Sequence, residues 1–156
     1  MAALFKWYDR ACLYMPNGTY EAGSPQISIA AQPVTVALLT STYTFAATHV
    51  VYSDLTNELT TTGGYTAGGQ ALAGITLVQS STVTNFDAND TVWTASGGGI
   101  AAFRYAAIYL NATLNSVVKP LLGIIDNNGS DVPATTAPNT LTIVWNATGV
   151  FQVAHS

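Results

Sequence analysis

Charge is scarce in this chain: Asp, Glu, Lys and Arg together make up 8% of its 156 residues, against about 25% in an average globular domain. The basic residues are Lys6, Arg10, Arg104 and Lys119, and the net charge is −4. Four cations cannot line the basic stripe that nucleic acid demands, so DNA and RNA are not expected as partners. A lone cysteine, Cys12, excludes an internal disulfide, and with His49 and His155 as the two histidines it cannot complete a tetrahedral zinc site. The long uncharged stretch 59–86 is not apolar enough for a membrane helix, because it is full of Thr, Gly and Ser. The N-terminal MAALFKWYDRACLYMPNG carries Lys6, Asp9 and Arg10 where a secretion signal needs an unbroken apolar run, so synthesis in the cytoplasm is expected.

Helical periodicity is also rare, and short runs of β-branched and aromatic residues between turn signals take its place. Residues 3–14 are the one candidate helix, with a strand or an ordered arm as the alternative, and Pro16-Asn17-Gly18 follows as a turn. Val34-Thr35-Val36-Ala37-Leu38-Leu39-Thr40 reads as a strand buried on both faces. Further strands are expected at 49–52, 76–79, within 83–93, and at 101–110, 121–125, 141–145 and 149–153, with a turn at 54–58. In AAFRYAAIYL (101–110), strand alternation puts Phe103, Tyr105, Ala107 and Tyr109 on one face and Arg104, Ala106 and Ile108 on the other. The expected fold is all-β, a β-sandwich with the jelly roll as one form, with an N-terminal arm or short helix. The arm, 1–33, packs on the domain or on a neighbour, and 34–156 form the β domain. No linker divides the chain, and DVPATTAPNT (131–140) reads as a long surface loop.

The stretch TTTGGYTAGGQALAG (60–74) holds five glycines in fifteen residues and invites a phosphate-binding reading. That chemistry needs G-x-x-x-x-G-K-[ST] before a helix, and here there is neither the lysine nor the helix; the doublets Gly63-Gly64 and Gly68-Gly69 also break the dinucleotide pattern. The structural reading is that the doublets turn the chain twice and hold Tyr65 against the core as an anchor. No nucleophile motif accompanies His49 or His155, so no catalytic residue is assigned and no enzyme is expected. Two carboxylate pairs are spaced for acid–base work or a cation: Asp54 with Glu58, and Asp87 with Asp90 in FDAND. Asp87, Asn89 and Asp90 carry the oxygen ligands that suit Ca²⁺, but Asx residues serve turns in the same way, and no metal site is assigned. Arg104 interrupts an apolar run. If buried it needs a carboxylate such as Asp54, Asp87 or Asp126, and if not it faces solvent.

Taken in order, the segments VALLTSTYT (36–44), HVVYSDLTNEL (49–59), GGYTAGGQALAG (63–74), FDANDTVW (86–93), FRYAAIY (103–109), PLLGIID (120–126) and LTIVWNATGVF (141–151) resemble a family of small virion structural proteins of tailed bacteriophages. The resemblance covers 34–153 and is weaker in 1–33. It implies a non-enzymatic virion component without cofactor, most simply a capsid cement (decoration) protein. Such proteins bind the outside of the head where major capsid protein subunits meet, commonly as homotrimers. A tail, neck or fibre component is the alternative. A third reading, a carbohydrate-binding β-sandwich, comes from Trp93, Trp145 and the tyrosines. Low charge and aromatics such as Trp7, Tyr8 and Tyr14 suit broad protein contacts, and these three are the expected interface residues.

Overall fold

The computed structural model describes residues 4–14, 32–80, 83–114 and 116–154. The chain is all-β, with one short helix among the described residues. In chain order the elements are β1 (Leu4–Trp7), α1 (Asp9–Tyr14), β2 (Val34–Leu39), β3 (Gln70–Ala71), β4 (Thr76–Ser80), β5 (Val83–Asp87), β6 (Thr91–Thr94), β7 (Tyr105–Leu110), β8 (Thr113–Leu114), β9 (Val117–Val118), β10 (Leu121–Asp126), β11 (Thr140–Ile143) and β12 (Phe151–Ala154). A 3₁₀ turn spans Tyr52–Asp54. The main sheet runs β1-β10-β7-β2-β3, and the other sheets are β12-β5-β4, β11-β6 and β8-β9, all antiparallel.

The two central strands β2 and β7 are buried along their whole length. Their alternation sorts side chains into two cores. Val34, Val36, Leu38, Ala106, Ile108 and Leu110 meet Phe86, Trp93, Leu141 and Phe151 from the smaller sheets. Ala37, Leu39, Tyr105, Ala107 and Tyr109 face the other way, onto Tyr8, Tyr43 and the half-buried Phe45, Tyr52 and Leu55. A strand covered on both faces reads as a continuous apolar run, which is why 34–40 carries no polar alternation.

Three local expectations need correction. The first half of the candidate helix 3–14 is strand β1, and only Asp9–Tyr14 is helical. The reason is tertiary: β1 pairs with β10, and the Phe5 ring lies over Gly123, whose missing side chain leaves the space; a Cβ there would sit 2.2 Å from the ring. Gly123 also follows a shift of register in β10, which brings Leu122 to the Phe86 side and Ile124 to the Tyr43 side. Phe103 does not share a face with Tyr105, because the strand begins only at Tyr105; Phe103 bridges to Val132 and packs in the Phe86 core. Residues 49–52 form no strand. Val51 makes one bridge to Pro120 before the 3₁₀ turn.

Candidate functional site

The glycine stretch folds as two turns. Thr62 and Tyr65 exchange both backbone hydrogen bonds, at 3.0 and 2.9 Å, around Gly63 and Gly64, whose φ values are +63° and +96°. Two positive φ values in a two-residue loop are the type I′ hairpin requirement. Gly69 N–H then donates to Thr66 C=O at 2.9 Å, with Gly68 at φ +97° in the third position of the turn. Between the turns Tyr65 is 1% exposed. Its hydroxyl accepts from Leu38 N–H at 3.0 Å and donates to Glu58 Oε1 at 2.7 Å. β3 pairs with β2 only at Thr35 and Val36, so the Tyr65 hydroxyl serves the backbone donor of Leu38 that the short neighbour strand leaves over.

Glu58 is the hub of this corner. Besides Tyr65 it accepts from the Tyr52 hydroxyl through Oε2 and from Gly68 N–H through Oε1 at 2.7 Å. Tyr109 packs against Tyr52, with ring centroids 4.7 Å apart and planes tilted by 33°, and donates to Gly68 C=O at 2.6 Å. Burial and then the Glu58 carboxylate push the Tyr52 and Tyr65 phenols well above their ordinary range, so both remain protonated donors. Replacing Tyr65 with Phe leaves Leu38 N–H unsatisfied and is expected to cost about 1.5 kcal/mol; urea unfolding of the variant measures it. A cleft of about 200 Å³ opens beside Glu58, lined by Thr40, Leu59, Thr60, Thr62, Tyr65 and Ala101.

Arg104 finds its carboxylate in Asp126, not in Asp54 or Asp87. Nε and Nη2 reach Oδ1 and Oδ2 at 3.0 and 3.2 Å, and Lys6 Nζ binds Oδ2 at 3.0 Å. Gly129 N–H adds a fourth donor at 3.2 Å. Asp126 is 4% exposed, whereas the Lys6 and Arg104 side chains reach solvent at 37% and 26%. The Arg104 guanidinium first, then Lys6 and the Gly129 N–H, hold the Asp126 carboxyl well below the usual range against the opposing effect of burial. The node ties β1, β10 and the residue before β7 together.

The carboxylate pairs are not shared sites. Asp54 Oδ2 accepts Val50 and Val51 N–H at 2.8 and 3.0 Å, bonds that depress its pKa, while Glu58 serves the tyrosines. In FDAND, Asp87 Oδ1 accepts the next N–H, Asp90 Oδ1 accepts Trp145 N–H at 3.0 Å, and Asn89 C=O accepts Trp145 Nε1–H at 3.0 Å. The segment is a turn that fixes Trp145. Among the described residues no three His, Cys, Asp or Glu gather as a metal-ligand group. His49 Nδ1 lies 3.0 Å from the Tyr43 hydroxyl; His155 lies outside the described residues.

The interface expectation is corrected at Tyr8, which is wholly buried. Its hydroxyl lies 3.1 Å from that of Tyr43, and the chain turn between β1 and α1 directs it into the second core. Trp7 is half-buried, edge-on to Phe5 and Phe151 at 4.9 and 4.8 Å. Tyr14 ends α1, and its side chain lies outside the described residues. Among the described residues the exposed large apolar side chains are instead Leu4, Leu77, Val78, Val92, Val118 and Val144. They sit inside the same apolar and aromatic runs that supply the core, such as TLV (76–78) and IVW (143–145), so nothing in the sequence sets them apart. Compared with family models, curated proteins and solved structures, the chain matches none. Among the described residues no helix is long and apolar enough to cross a membrane.

Proposed function

We propose that the chain is a non-enzymatic structural component of a tailed-bacteriophage virion, a capsid cement protein on the outside of the head. It binds where major capsid protein subunits meet and associates with copies of itself, as the homotrimer that the resemblance implies. The observation that carries this reading is the use made of the polar groups. Glu58, Asp54, Asp90 and Asp126 each hold pieces of the fold together, while exposed aliphatic side chains are spread over several strands and loops. That distribution suits broad contact with protein neighbours, whose interface cores are poor in charge. Many weak contacts per assembly stabilise a shell through multivalency and mass action.

The carbohydrate reading loses its support, since Trp93 and Trp145 are 4% and 8% exposed and neither presents a ring face to a sugar. A tail or neck station is separated from the shell by copy number. Quantitative protein gels of purified particles are expected to give on the order of hundreds of copies per virion, the multivalent case, and electron microscopy is expected to show density at symmetry-related sites on the shell. A few copies confined to the tail axis would overturn the cement assignment.

A further inference from the structure

The turn after β10 uses the residue pair that suits its backbone best and resists chemistry least. Ser130 N–H donates to Asn127 C=O at 3.0 Å, and between them Asn128 and Gly129 stand at φ +50° and +82°. Two central residues at positive φ are the type I′ pattern, which selects Asn-Gly because Asn tolerates the left-handed region and Gly enters it without strain. Asn-Gly is also the pair in which a backbone nitrogen most readily attacks the preceding side-chain amide, because the glycine has no Cβ to stand in the way. Asn128 is half-buried and Gly129 exposed, so water reaches the turn.

The turn is tied to the fold on both sides. Asn127 N–H donates to Arg104 C=O at 3.1 Å, Asn127 Nδ2–H to Ser130 C=O at 3.0 Å, and Gly129 N–H to Asp126 Oδ1 at 3.2 Å. The last bond bears on reactivity, since the nitrogen that would attack is the one whose proton Asp126 holds. The carboxylate could act there as a base or as a restraint, and its charge decides. A carboxyl held well below the usual range by Arg104 and Lys6 is a very weak base for an amide proton. Its negative charge also opposes the charge that develops on the attacking nitrogen. Attack consumes the N–H, so the bond to Asp126 must be given up before the reaction can proceed.

We propose that Asn128–Gly129 is a self-modification site that Asp126 holds closed, so that the Lys6–Asp126–Arg104 node sets how fast it deamidates. When the turn opens, the Gly129 nitrogen attacks Asn128 Cγ and an N–Cγ bond forms. The Cγ–Nδ2 bond breaks, the Gly129 proton passes through solvent to the leaving nitrogen, and ammonia departs. Water then opens the cyclic imide at either carbonyl, leaving aspartate or isoaspartate at position 128. Both products add a negative charge two residues from Asp126. Isoaspartate also routes the main chain through its β-carbon, so Gly129 N–H no longer meets Asp126 as before. The step runs one way and loosens the node that ties β1 to β10, whatever the chain binds and independently of the virion reading.

Peptide mass spectrometry of the full chain, incubated at mildly alkaline pH with and without urea, follows the conversion at Asn128. In the folded wild type it is expected to be at least about tenfold slower than in urea, a ratio equal to about 1.4 kcal/mol of closure. Asp126→Ala that is folded by circular dichroism is expected to convert several-fold faster than the wild type in buffer and equally fast in urea. Exchange of the Gly129 amide in the wild type, read by NMR, is expected to be slowed as well, because exchange and attack need the same opening. Asn128→Gly, which keeps the positive φ, is expected to abolish the conversion. The isoaspartyl chain, separated by ion exchange, is expected to unfold at lower urea than the unmodified chain. Equal rates with and without urea overturn the proposal, as does a folded Asp126→Ala that converts at the wild-type rate. An unprotected Gly129 amide overturns it even where Asp126→Ala does not fold.

Discussion

Gly64→Val is expected to abolish the native fold, with a loss of about 4 kcal/mol or more, in the range reserved for severe steric conflict. Gly64 sits at φ +96°, and a Cβ there would lie 2.0 Å from the Thr94 carbonyl oxygen and 3.0 Å from its carbon. Both obstacles are backbone of β6, which pairs with β11 and cannot yield as a side chain can. Strain from a β-branched residue at positive φ adds about 1–3 kcal/mol. Gly63 and Gly69 are equally confined, by Gly99 C=O at 1.7 Å and Val36 C=O at 1.9 Å. Gly68 is the internal control: its φ is +97°, yet the nearest atom to an added Cβ is the Tyr109 hydroxyl at 3.9 Å. Gly68→Ala is therefore expected to cost only the backbone strain, about 1–2 kcal/mol. Thermal unfolding of the two variants side by side separates close approach from conformational preference. Equal losses would show that the loop does not press on β6.

Asp126→Ala is expected to destabilise the fold by about 3 kcal/mol, the lower end for a broken buried ion pair, because Lys6 and Arg104 can turn toward water once the carboxylate is gone. The same group sets a pH dependence whose sign follows from its depressed pKa. The folded state holds the Asp126 proton more weakly than the unfolded chain, whose ordinary value is 3.8. Its stabilisation is thus complete above about pH 4 and declines as pH falls from there toward the lower folded-state value. Asp54, whose carboxyl is also lowered, adds a slope of the same sign. Urea midpoints measured from pH 2 to 6 are expected to fall with acidity in the wild type and more gently in Asp126→Asn, with the Asp54 contribution remaining. An unchanged slope in Asp126→Asn would mean that the Lys6–Asp126–Arg104 node contributes no pH-dependent stability.

Several features were legible because their cause is local. The burial of 34–39 on both faces is written in a run with no polar alternation, and the glycine doublets state their need for positive φ directly. A charged residue in an apolar run also announces that it requires a partner, and Asp126 was among the three candidates. Which of the three it would be was not legible, since Asp126 and Arg104 meet only through the pairing of β10 with β7. Glu58 gave no sign of its role. Its spacing from Asp54 suggested a shared site, but a 3₁₀ turn sends the two carboxylates to different partners, one to backbone N–H groups and one to two tyrosines from separate loops. Tyr8 misled for a related reason: an aromatic in a charged N-terminal segment resembles a surface residue until β1 docks on β10 and turns it inward.

The sequence by itself determined that this is a β-structured chain with little charge, one cysteine, four basic residues and a glycine loop that lacks the lysine of a phosphate-binding motif. Those conclusions rest on residue type, spacing and backbone allowance, all of them properties of neighbouring residues. Only the tertiary structure decided that Asp126 ties Lys6 of β1 to Arg104 before β7 and that Glu58 gathers the tyrosine corner. It alone placed the Trp93 and Trp145 rings in the interior. Each of these depends on strand order and register, which bring together residues that are distant in the chain and unmarked within it.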